Sequence, residues 1–438
     1  MSTLSPVLAF WNSRGQLQKQ FATLVSGTVV AQFVGILAFP LLTRLYTPEQ
    51  FGVMGVFVSI FGTISPMVTL KYEHAIPVAA DDKQAVTLMG LALGIAVIIS
   101  GITTALGSLV VPRHFSGPIP TVFAEYGWLL APGLFFSALF TTGTFWMIRK
   151  KKYSRIARAR VEQSLSKVVL ELFFGVLAAS PLGLICGHLA SQIGGTRTVL
   201  RDFWANDRSL ISHVGTNDLK SVAKEHKNFP LYTMPAAGLN ALGANAPLIL
   251  IPIVFNEMSA GLFLVAQRLS AWPTTLIANS LGQVFYGAIA NSSTTSVQTL
   301  RLFRKLTATL MLIGLAMIAV LGTAPIWANH FLGEKWANAG WVITILAPMM
   351  AVRLLVTPMS HAYNLHSKQR LFLLIETTRV VLTAGVFIFS MTANYSFLTT
   401  ISLFSIFCCA NYIAHWIAIN QILSHAARTE KTNAQTLF

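Results

Sequence analysis

Charged side chains are scarce in this sequence. Asp, Glu, Lys and Arg make up 11% of the 438 residues, apolar residues make up 54%, and the mean hydropathy is +0.63. Ordinary globular domains carry about 25% charged residues. A soluble protein with so few polar groups lacks the means to cover its surface. Helices that face lipid carry apolar side chains outside as well as inside. The composition therefore indicates an all-α integral membrane protein.

Several signatures of catalysis are absent as well. The three cysteines, Cys186, Cys408 and Cys409, all lie in apolar segments, which gives no basis for a disulfide framework. The sequence contains no phosphate-binding loop, no dinucleotide-binding glycine turn and no His-Glu-x-x-His metal pair. The only adjacent acids, Asp81 and Asp82, are expected to be solvated at a helix boundary. We expect no catalytic residues, no metal site and no cofactor, so the sequence favours a transporter over an enzyme.

Long apolar runs fill most of the chain. A bilayer-spanning helix needs about 20 mostly apolar residues. Twelve segments meet this requirement: 21–42, 52–70, 85–112, 127–148, 161–179, 181–200, 231–254, 260–289, 306–328, 338–363, 371–391 and 396–422. The polar lead-in, 1–20, is predicted to form a short interfacial helix before an uncleaved first span.

The basic residues are distributed unevenly between alternate gaps. One set of gaps holds 24 Lys and Arg residues, and the other holds three, Arg44, Arg113 and Lys335. Because basic residues are retained on the cytoplasmic side, both termini are predicted to be cytoplasmic. The net charge of +16 is spread over short gaps and forms no continuous basic face, so we expect no nucleic-acid partner.

The longest cytoplasmic gap divides the chain into halves. It covers 201–230 and separates a predicted N-terminal lobe, 1–200, from a C-terminal lobe, 231–422, which a cytoplasmic tail, 423–438, follows. Short motifs recur about half a chain apart, so each lobe is predicted to hold six helices with any binding site between the two lobes.

Two arginines inside predicted spans have no acid within a turn, namely Arg268 and Arg353. A charge inside the bilayer costs about 2.5–3.5 kcal/mol on insertion scales and usually faces the bundle interior. Each arginine is therefore expected to face an anionic ligand in a cavity or to pair with an acid of another helix. A guanidinium group suits phosphate, because its planar fork binds two oxygens at once.

Other intramembrane charges occur in pairs. Lys167 and Glu171 are spaced to meet on one helix face, and so are Glu376 and Arg379. Each couple is either a structural ion pair or a functional one. In the functional case the acid exchanges a proton or sodium ion and the base lines a cationic cavity. Lys71 follows the second span and is either part of a solvated helix end or a cation at the entrance for substrate.

Four stretches give the chain a family resemblance. They are LYTPEQFG at 45–52, KNFPLY at 227–232, GLFLVAQRLSAWP at 261–273 and GQVFY at 282–286. In these four stretches the chain resembles the Wzx-type polysaccharide flippases of O-antigen and exopolysaccharide synthesis. These form a branch of the multidrug/oligosaccharidyl-lipid/polysaccharide exporter superfamily.

The resemblance implies both a fold and an activity. The fold would be that of the MATE-like exporters, with about twelve helices in two lobes forming a V-shaped transporter. The activity would be alternating-access transfer of undecaprenyl-pyrophosphate-linked oligosaccharide units across the bacterial inner membrane. The family's Ala-Gln-Arg position matches Ala266-Gln267-Arg268, which implies that Arg268 faces the pyrophosphate. Implied partners are the lipid-linked substrate, membrane lipids, and polymerase and chain-length proteins of the same pathway.

Two other functions fit parts of the sequence. A cation-coupled multidrug antiporter of the same fold would need acids in its cavity, whereas the spans hold four basic residues and two clear acids. A membrane-embedded glycan-polymerising enzyme would need a large outer loop or an acidic cluster, and the outward gaps are short. The candidate substrate-binding residues are therefore Arg268, Arg353, Lys167, Arg379 and Lys71. The candidate ion-coupling residues are Glu171 and Glu376.

Overall fold

The computed structural model describes residues 27–213, 215–290, 295–360, 362–363 and 368–435. The predicted polar lead-in lies outside these residues. The described part of the chain divides into two compact units. Of the described residues, unit 1 contains those within 27–46 and 56–241, and unit 2 contains those within 47–55 and 242–435. The division passes through two helices, between residues 55 and 56 and between residues 241 and 242.

The helices of the first half follow the predicted spans closely. They are α1 (Gly27–Leu45), α2 (Pro48–Ile64), α3 (Asp82–Ala105), α4 (Val111–His114), α5 (Pro118–Tyr126), α6 (Leu130–Arg149), α7 (Tyr153–Ala178), α8 (Pro181–Asn206) and α9 (Thr216–Glu225). A π-helical turn, Leu106–Val110, joins α3 to α4, and a 3-10 segment, Tyr72–Val78, leads towards α3.

The second half shows the same agreement. Its helices are α10 (Met234–Val254), α11 (Glu257–Ala290), α12 (Ser296–Gly322), α13 (Ala324–Leu332), α14 (Ala339–Val356), α15 (Gln369–Thr392) and α16 (Phe397–Gln435). Each of the twelve predicted spans coincides with a long helix. Among the described residues, nine helical segments are long and apolar enough to cross a membrane. The three predicted spans outside that set are α7, α8 and α11, which carry more polar residues.

Local sequence signals explain several helix boundaries. Asp81 caps α3, because its Oδ1 accepts a hydrogen bond from the Gln84 backbone N–H at 2.7 Å. Thr295 and Gln298 form a reciprocal capping box at the start of α12. Pro181 occupies the first position of α8, where a missing N–H costs nothing. The short break between the fifth and sixth predicted spans is therefore real.

Glycines allow α8 to pack very closely on α7. A Cβ atom added at Gly183 would lie 2.6 Å from Phe174 Cβ, and one at Gly187 would lie 2.3 Å from Glu171 Cγ. Small residues at such a contact let two backbones approach and are common between membrane helices. The α7–α8 hairpin therefore forms a tight scaffold in unit 1.

Ion pairs join the ends of helices in unit 1 on the side predicted to be cytoplasmic. Asp82 Oδ1 accepts from Arg149 Nε at 2.9 Å and Asp82 Oδ2 accepts from Lys150 Nζ at 2.5 Å. The side chain of Asp202 is fully buried and pairs with Lys152 and Arg155. Asp82 lies at the start of α3 with its side chain 40% exposed, as predicted for a solvated boundary residue, and its ion pairs also connect α3 to the end of α6.

Candidate functional site

Unit 1 contains a polar cavity of about 300 Å³. Residues of three helices line it: Thr28, Ala31 and Gln32 of α1, Arg160, Gln163, Ser164 and Lys167 of α7, and Ser191 and Gln192 of α8. Two of these described lining residues are cations and none is an acid. A cavity between membrane helices with that lining has the chemistry to hold an anion together with hydroxyl-rich groups.

Close packing of α1 on α7 forms one wall of this polar cavity. The Ser164 hydroxyl donates to the Ala31 carbonyl at 2.5 Å. Gly27 lies against Ala157, since a Cβ at Gly27 would be 2.5 Å from the Ala157 Cβ. On the opposite wall, the Gln192 amide donates to the Ser191 hydroxyl at 3.3 Å. Because the side chains at these contacts are small, the helices pack closely and the longer polar side chains extend into the polar cavity.

Lys167 lies between this polar cavity and a buried acid. Its Nζ is 3.8 Å from Glu171 Oε1, and the side chains of Lys167 and Glu171 are 29% and 2% exposed. The backbone carbonyl of Glu171 accepts a hydrogen bond from the Tyr46 hydroxyl at 2.7 Å. The ion pair predicted from the spacing is confirmed, and it places the Lys167 ammonium at the edge of a cavity that an anion could enter.

Arg160 is a cavity residue that the sequence did not single out. It lies in the basic gap 149–160, where it counts as one of many topology-setting cations. With Gln163, Ser164 and Lys167 it forms a polar stripe at spacings of three, four and seven residues, which places all four on one face of α7. This polar stripe, on a helix whose other faces contact apolar neighbours, is the sequence signal that would have identified Arg160 as a cavity residue.

A second charged group lies in unit 2, around Glu376 and Arg379 of α15. Arg379 donates to Glu376 Oε2 from Nη2 at 2.6 Å and from Nε at 3.1 Å. The other carboxylate oxygen, Oε1, is 3.3 Å from Nε2 of the buried His415. The Tyr363 hydroxyl lies 3.0 Å from His415 Nδ1. The predicted ion pair of Glu376 and Arg379 is confirmed, and His415 of α16 adds a third charged or polar group to it.

Arg353 belongs to the same region of unit 2. Among the described residues it makes no ion pair. Arg353 and Arg379 both lie near the same two side chains of α16, Tyr412 and Cys408. The structure therefore brings Arg353, Arg379 and Glu376 together around α16, with one acid for two guanidinium groups.

Arg268 lies in unit 2 against α2. Its Nη2 is 4.0 Å from the Sδ of Met54. Two glycines allow this approach, because a Cβ at Gly261 would lie 1.8 Å from the Pro48 carbonyl oxygen and one at Gly52 would lie 1.9 Å from that of Glu257. The start of α11 thus packs directly on the backbone of α2.

Lys71 sits in a compact turn at the end of the second span. Its backbone is left-handed, with φ 65°, and its Nζ lies 3.6 Å from Glu73 Oε1. Glu73 is 1% exposed and also accepts from the Thr69 hydroxyl at 2.5 Å. The interpretation of this segment as a solvated helix end is wrong, because the chain folds back and buries the carboxylate.

His74 completes this turn. Its ring lies 4.7 Å from that of Phe145 and 6.4 Å from that of Phe229. Burial lowers the pKa of His74, and Lys71 lowers it further, while Glu73 opposes both. Burial and Lys71 therefore oppose protonation of this imidazole, which lies beside a buried carboxylate.

A family model describes most of this chain. The model of a polysaccharide biosynthesis protein family matches residues 41–340. The chain belongs to this family. The resemblance found in the sequence is thereby confirmed, since this match spans both the early LYTPEQFG stretch and the later stretches around α11.

Solved structures show the fold of this polysaccharide biosynthesis family member. One is an inward-facing multidrug resistance MATE family transporter of the MOP superfamily, with 18% identity and a TM-score of 0.70, covering 93% of this chain and 96% of the other. Another is the lipid II flippase MurJ in an inward closed conformation, with 11% identity and a TM-score of 0.68, covering 91% and 89%. A third is a MOP superfamily transporter from Pyrococcus furiosus, with 14% identity and a TM-score of 0.61, covering 93% and 96%.

These likenesses confirm the predicted fold class. The described part of the chain is helical without strands, and the protein is a multi-pass membrane protein with the fold of these transporters. A search of curated protein sequences found no significant match. The family and the fold together indicate a flippase or transporter in polysaccharide synthesis.

Proposed function

We propose that this protein is a flippase that carries undecaprenyl-pyrophosphate-linked oligosaccharide units across the bacterial inner membrane, for O-antigen or exopolysaccharide assembly. The observation that carries the proposal is the polar cavity of unit 1, where Arg160 and Lys167 face a shared space with no acid among the described lining residues. Membership of a polysaccharide biosynthesis family supports it. Transfer would proceed by alternating access, with both termini in the cytoplasm.

The chemistry of the substrate fits the lining of this polar cavity. A pyrophosphate diester carries two negative charges, and Arg160 and Lys167 are separated by two helical turns, about 10 Å along α7. Amide side chains such as Gln163 and hydroxyl side chains such as Ser164 can exchange hydrogen bonds with sugar hydroxyls. The polyprenyl tail would stay in the bilayer, where its burial needs no protein cavity.

The charged groups of unit 2 would serve the same cycle. Glu376 pairs with Arg379, and Arg353 makes no ion pair among the described residues, so the region keeps an excess positive charge that an anionic group could neutralise. Glu376 also faces His415, and a carboxylate between a guanidinium and an imidazole is a suitable place to bind or release a coupling proton. Glu171, beside Lys167, is the corresponding candidate in unit 1.

Leaflet exchange of a labelled substrate tests this function. Purified protein would be reconstituted into vesicles with a fluorescent undecaprenyl-pyrophosphate glycan, and a membrane-impermeant quencher would report the fraction of label that reaches the inner leaflet. We expect the native protein to accelerate exchange and Arg160→Gln to slow it by about tenfold or more, since a hydrogen bond to a charged group is worth about 1.5–3 kcal/mol.

A matched control is available on the same helix. Arg158 is exposed and pairs with Glu162 at 3.0 Å, and it does not line the polar cavity. Arg158→Gln removes the same charge and should exchange lipid at the native rate. Equal rates for both variants would remove Arg160 from the site. Failure of the native protein to exchange any such lipid would refute the proposed function.

Arg268 gives a second test of the same proposal. Arg268→Ala should insert normally and flip more slowly if the guanidinium contacts the pyrophosphate during the cycle, and Arg268→Lys, which keeps the charge, should retain part of the rate. Native rates in Arg268→Ala would restrict Arg268 to packing against Met54.

A multidrug antiporter of the same fold is disfavoured by the same cavity. Its cationic drugs would meet two cations in the lining and no described acid, which is a repulsive arrangement. Vesicles loaded with a cationic dye would test it, because an antiporter would expel the dye along a proton or sodium gradient.

A further inference from the structure

A separate cavity of about 360 Å³ lies in unit 2, between the first turns of α12 and the last turns of α16. Three arginines line it, Arg301 and Arg304 from α12 and Arg428 from α16, together with the Ser424 hydroxyl. We call this the arginine cavity. The residues that line it lie within 291–305 and 423–438, two gaps that are predicted to be cytoplasmic. The cavity would therefore lie at the inner membrane surface.

Helical spacing brings the three arginines together. Arg301 and Arg304 share one face of α12 with Val297 and Leu300, and Ser424 and Arg428 share one face of α16. The two helices are held at both ends of the cavity. The Ser296 backbone N–H donates to Glu430 Oε2 at 2.5 Å, and the rings of Phe303 and Trp416 stack with centroids 6.3 Å apart.

No acidic side chain of the described residues pairs with the arginines of the arginine cavity. Among the described residues, the guanidinium groups of Arg301, Arg304 and Arg428 make no ion pair and no hydrogen bond. The nearby Glu430 carboxylate is engaged by the α12 backbone. In unit 1, by contrast, Arg149 at the same predicted surface is paired with Asp82. Three like charges around one cavity therefore favour an anionic ligand.

The surface next to the cavity identifies the kind of anion. The face of α12 that carries Arg301 and Arg304 continues with Met311, Leu312 and Leu315, which are 53%, 71% and 58% exposed. The same face of α16 continues with Ile417 and Ile413, which are 44% and 46% exposed. Exposed aliphatic side chains directly above a cationic cavity match a molecule with a phosphate head and hydrocarbon chains.

We propose that the arginine cavity binds the phosphodiester headgroup of an anionic membrane phospholipid, with its acyl chains along the exposed apolar faces of α12 and α16. The site is distinct from the polar cavity of unit 1 and holds a resident lipid rather than the transported glycan lipid. Bound there, the lipid would neutralise the three arginines and join the two helix ends.

Native mass spectrometry of the full-length, detergent-purified protein tests this proposal. The protein would be titrated with dioleoyl phosphatidylglycerol, and with dioleoyl phosphatidylcholine, which has the same chains and no net charge. We expect a first phosphatidylglycerol to bind at least about tenfold more tightly than phosphatidylcholine, since each basic residue near an anionic headgroup contributes roughly a fivefold gain.

The variant for this test removes all three charges, as Arg301→Gln, Arg304→Gln and Arg428→Gln. Its matched control is Lys305→Gln, Lys368→Gln and Arg370→Gln, which removes three charges from the same predicted surface of unit 2 without touching the cavity lining. We expect the first variant to lose the preference for phosphatidylglycerol and the control to keep it. Should the triple variant fail to fold, Arg301→Gln alone carries the test, with a partial loss expected.

Three results would overturn the proposal. One is an equal loss of phosphatidylglycerol binding in the cavity variant and in the control. Another is an affinity for phosphatidylcholine equal to that for phosphatidylglycerol. The third is displacement of the bound lipid by pyrophosphate at similar concentrations, which would assign the cavity to a soluble phosphate. Because the readout is lipid retention and not leaflet exchange, these results do not depend on the flipping activity proposed above.

Discussion

Basic residues in or next to the predicted spans have different environments in this chain although their local sequences are similar. Arg379 has an acid three residues away and binds it through two nitrogens. Lys167 also has a nearby acid, yet its ammonium borders a cavity. Arg160 has no acid at the ion-pair spacing of three or four residues, and lines that same cavity. The local pattern therefore predicts ion pairing well and cavity lining poorly.

His74 allows a prediction for the dependence of stability on pH. Burial, then Lys71, lowers the pKa of His74, and Glu73 partly opposes this. A free histidine titrates near 6.5, so the folded protein binds fewer protons than the unfolded chain below that pH. The contribution of the neutral His74 imidazole to the free energy of unfolding is complete above about pH 6.5. It is lost as the pH falls towards the lower pKa of His74 in the folded protein.

Thermal unfolding in detergent between pH 5 and 7.5 measures this effect. His74→Gln should unfold with a shallower pH dependence below pH 6.5 than the native protein. His114→Gln alters an exposed histidine of α4 and serves as the control, with a native profile expected. A His74→Gln profile identical to the native one would contradict the assignment.

At the scale of elements, glycine contacts decide which helices pack most closely. α7 and α8 are joined by a break of two residues, and glycines of α8 meet the side chains of α7. This contact fixes Glu171, and through it Lys167, beside the polar cavity of unit 1. The site therefore depends on the helix interface as much as on the charged residues themselves.

Gly187→Ala tests this dependence. The new Cβ would lie 2.3 Å from Glu171 Cγ and 3.0 Å from the Lys167 carbonyl oxygen, so one helix must shift. We expect a loss of about 1–3 kcal/mol in stability, which is usual for overpacking, together with slower lipid exchange. Both would be measured on the purified protein, by thermal unfolding and by leaflet exchange.

Gly94→Ala is the control for this substitution. A Cβ at Gly94 of α3 meets no atom within 4 Å. Alanine is a better helix former than glycine by about 1 kcal/mol, so this variant should be as stable as the native protein or slightly more stable. If Gly187→Ala behaves in the same way, the close contact with Glu171 is not important.

At the scale of the whole molecule, charge asymmetry defines the orientation that we propose. Of the 31 Lys and Arg residues, 24 lie in one set of alternate gaps. The last helix, α16, contains 39 residues and is about 58 Å long, whereas the hydrocarbon core is only about 30 Å thick. Its final turns, which carry Arg428 and Glu430, therefore extend past the hydrocarbon region.

Reporter fusions test the proposed orientation. A green fluorescent protein fused after Phe438 should fluoresce, because it folds in the cytoplasm, and alkaline phosphatase at the same position should be inactive. Phosphatase fused after Arg113, in an outward gap, should be active and is the positive control. An active phosphatase after Phe438 would contradict a cytoplasmic C-terminus.

The sequence predicted the spans well and the short helices poorly. All twelve apolar runs became long helices, because a run of about 20 apolar residues can satisfy its backbone in lipid only as a helix. The short helices α5, α9 and α13 were not predicted. Their nine or ten residues are too few to be identified as spans, and their stability comes from packing on neighbours.

By itself, the amino-acid sequence determined the membrane class, the spans, the charge asymmetry and the local ion pairs of Glu171 and Glu376. Each of these depends on residues within one helix or on composition, where spacing and hydropathy are sufficient. Only the tertiary structure decided that Arg160 joins Lys167 at one cavity, that Lys71 meets a buried Glu73, and that three arginines of α12 and α16 converge. Those groupings depend on a turn that folds back on itself and on helices that pack around a cavity, and that packing follows from small residues and shape at contacts that no local pattern specifies.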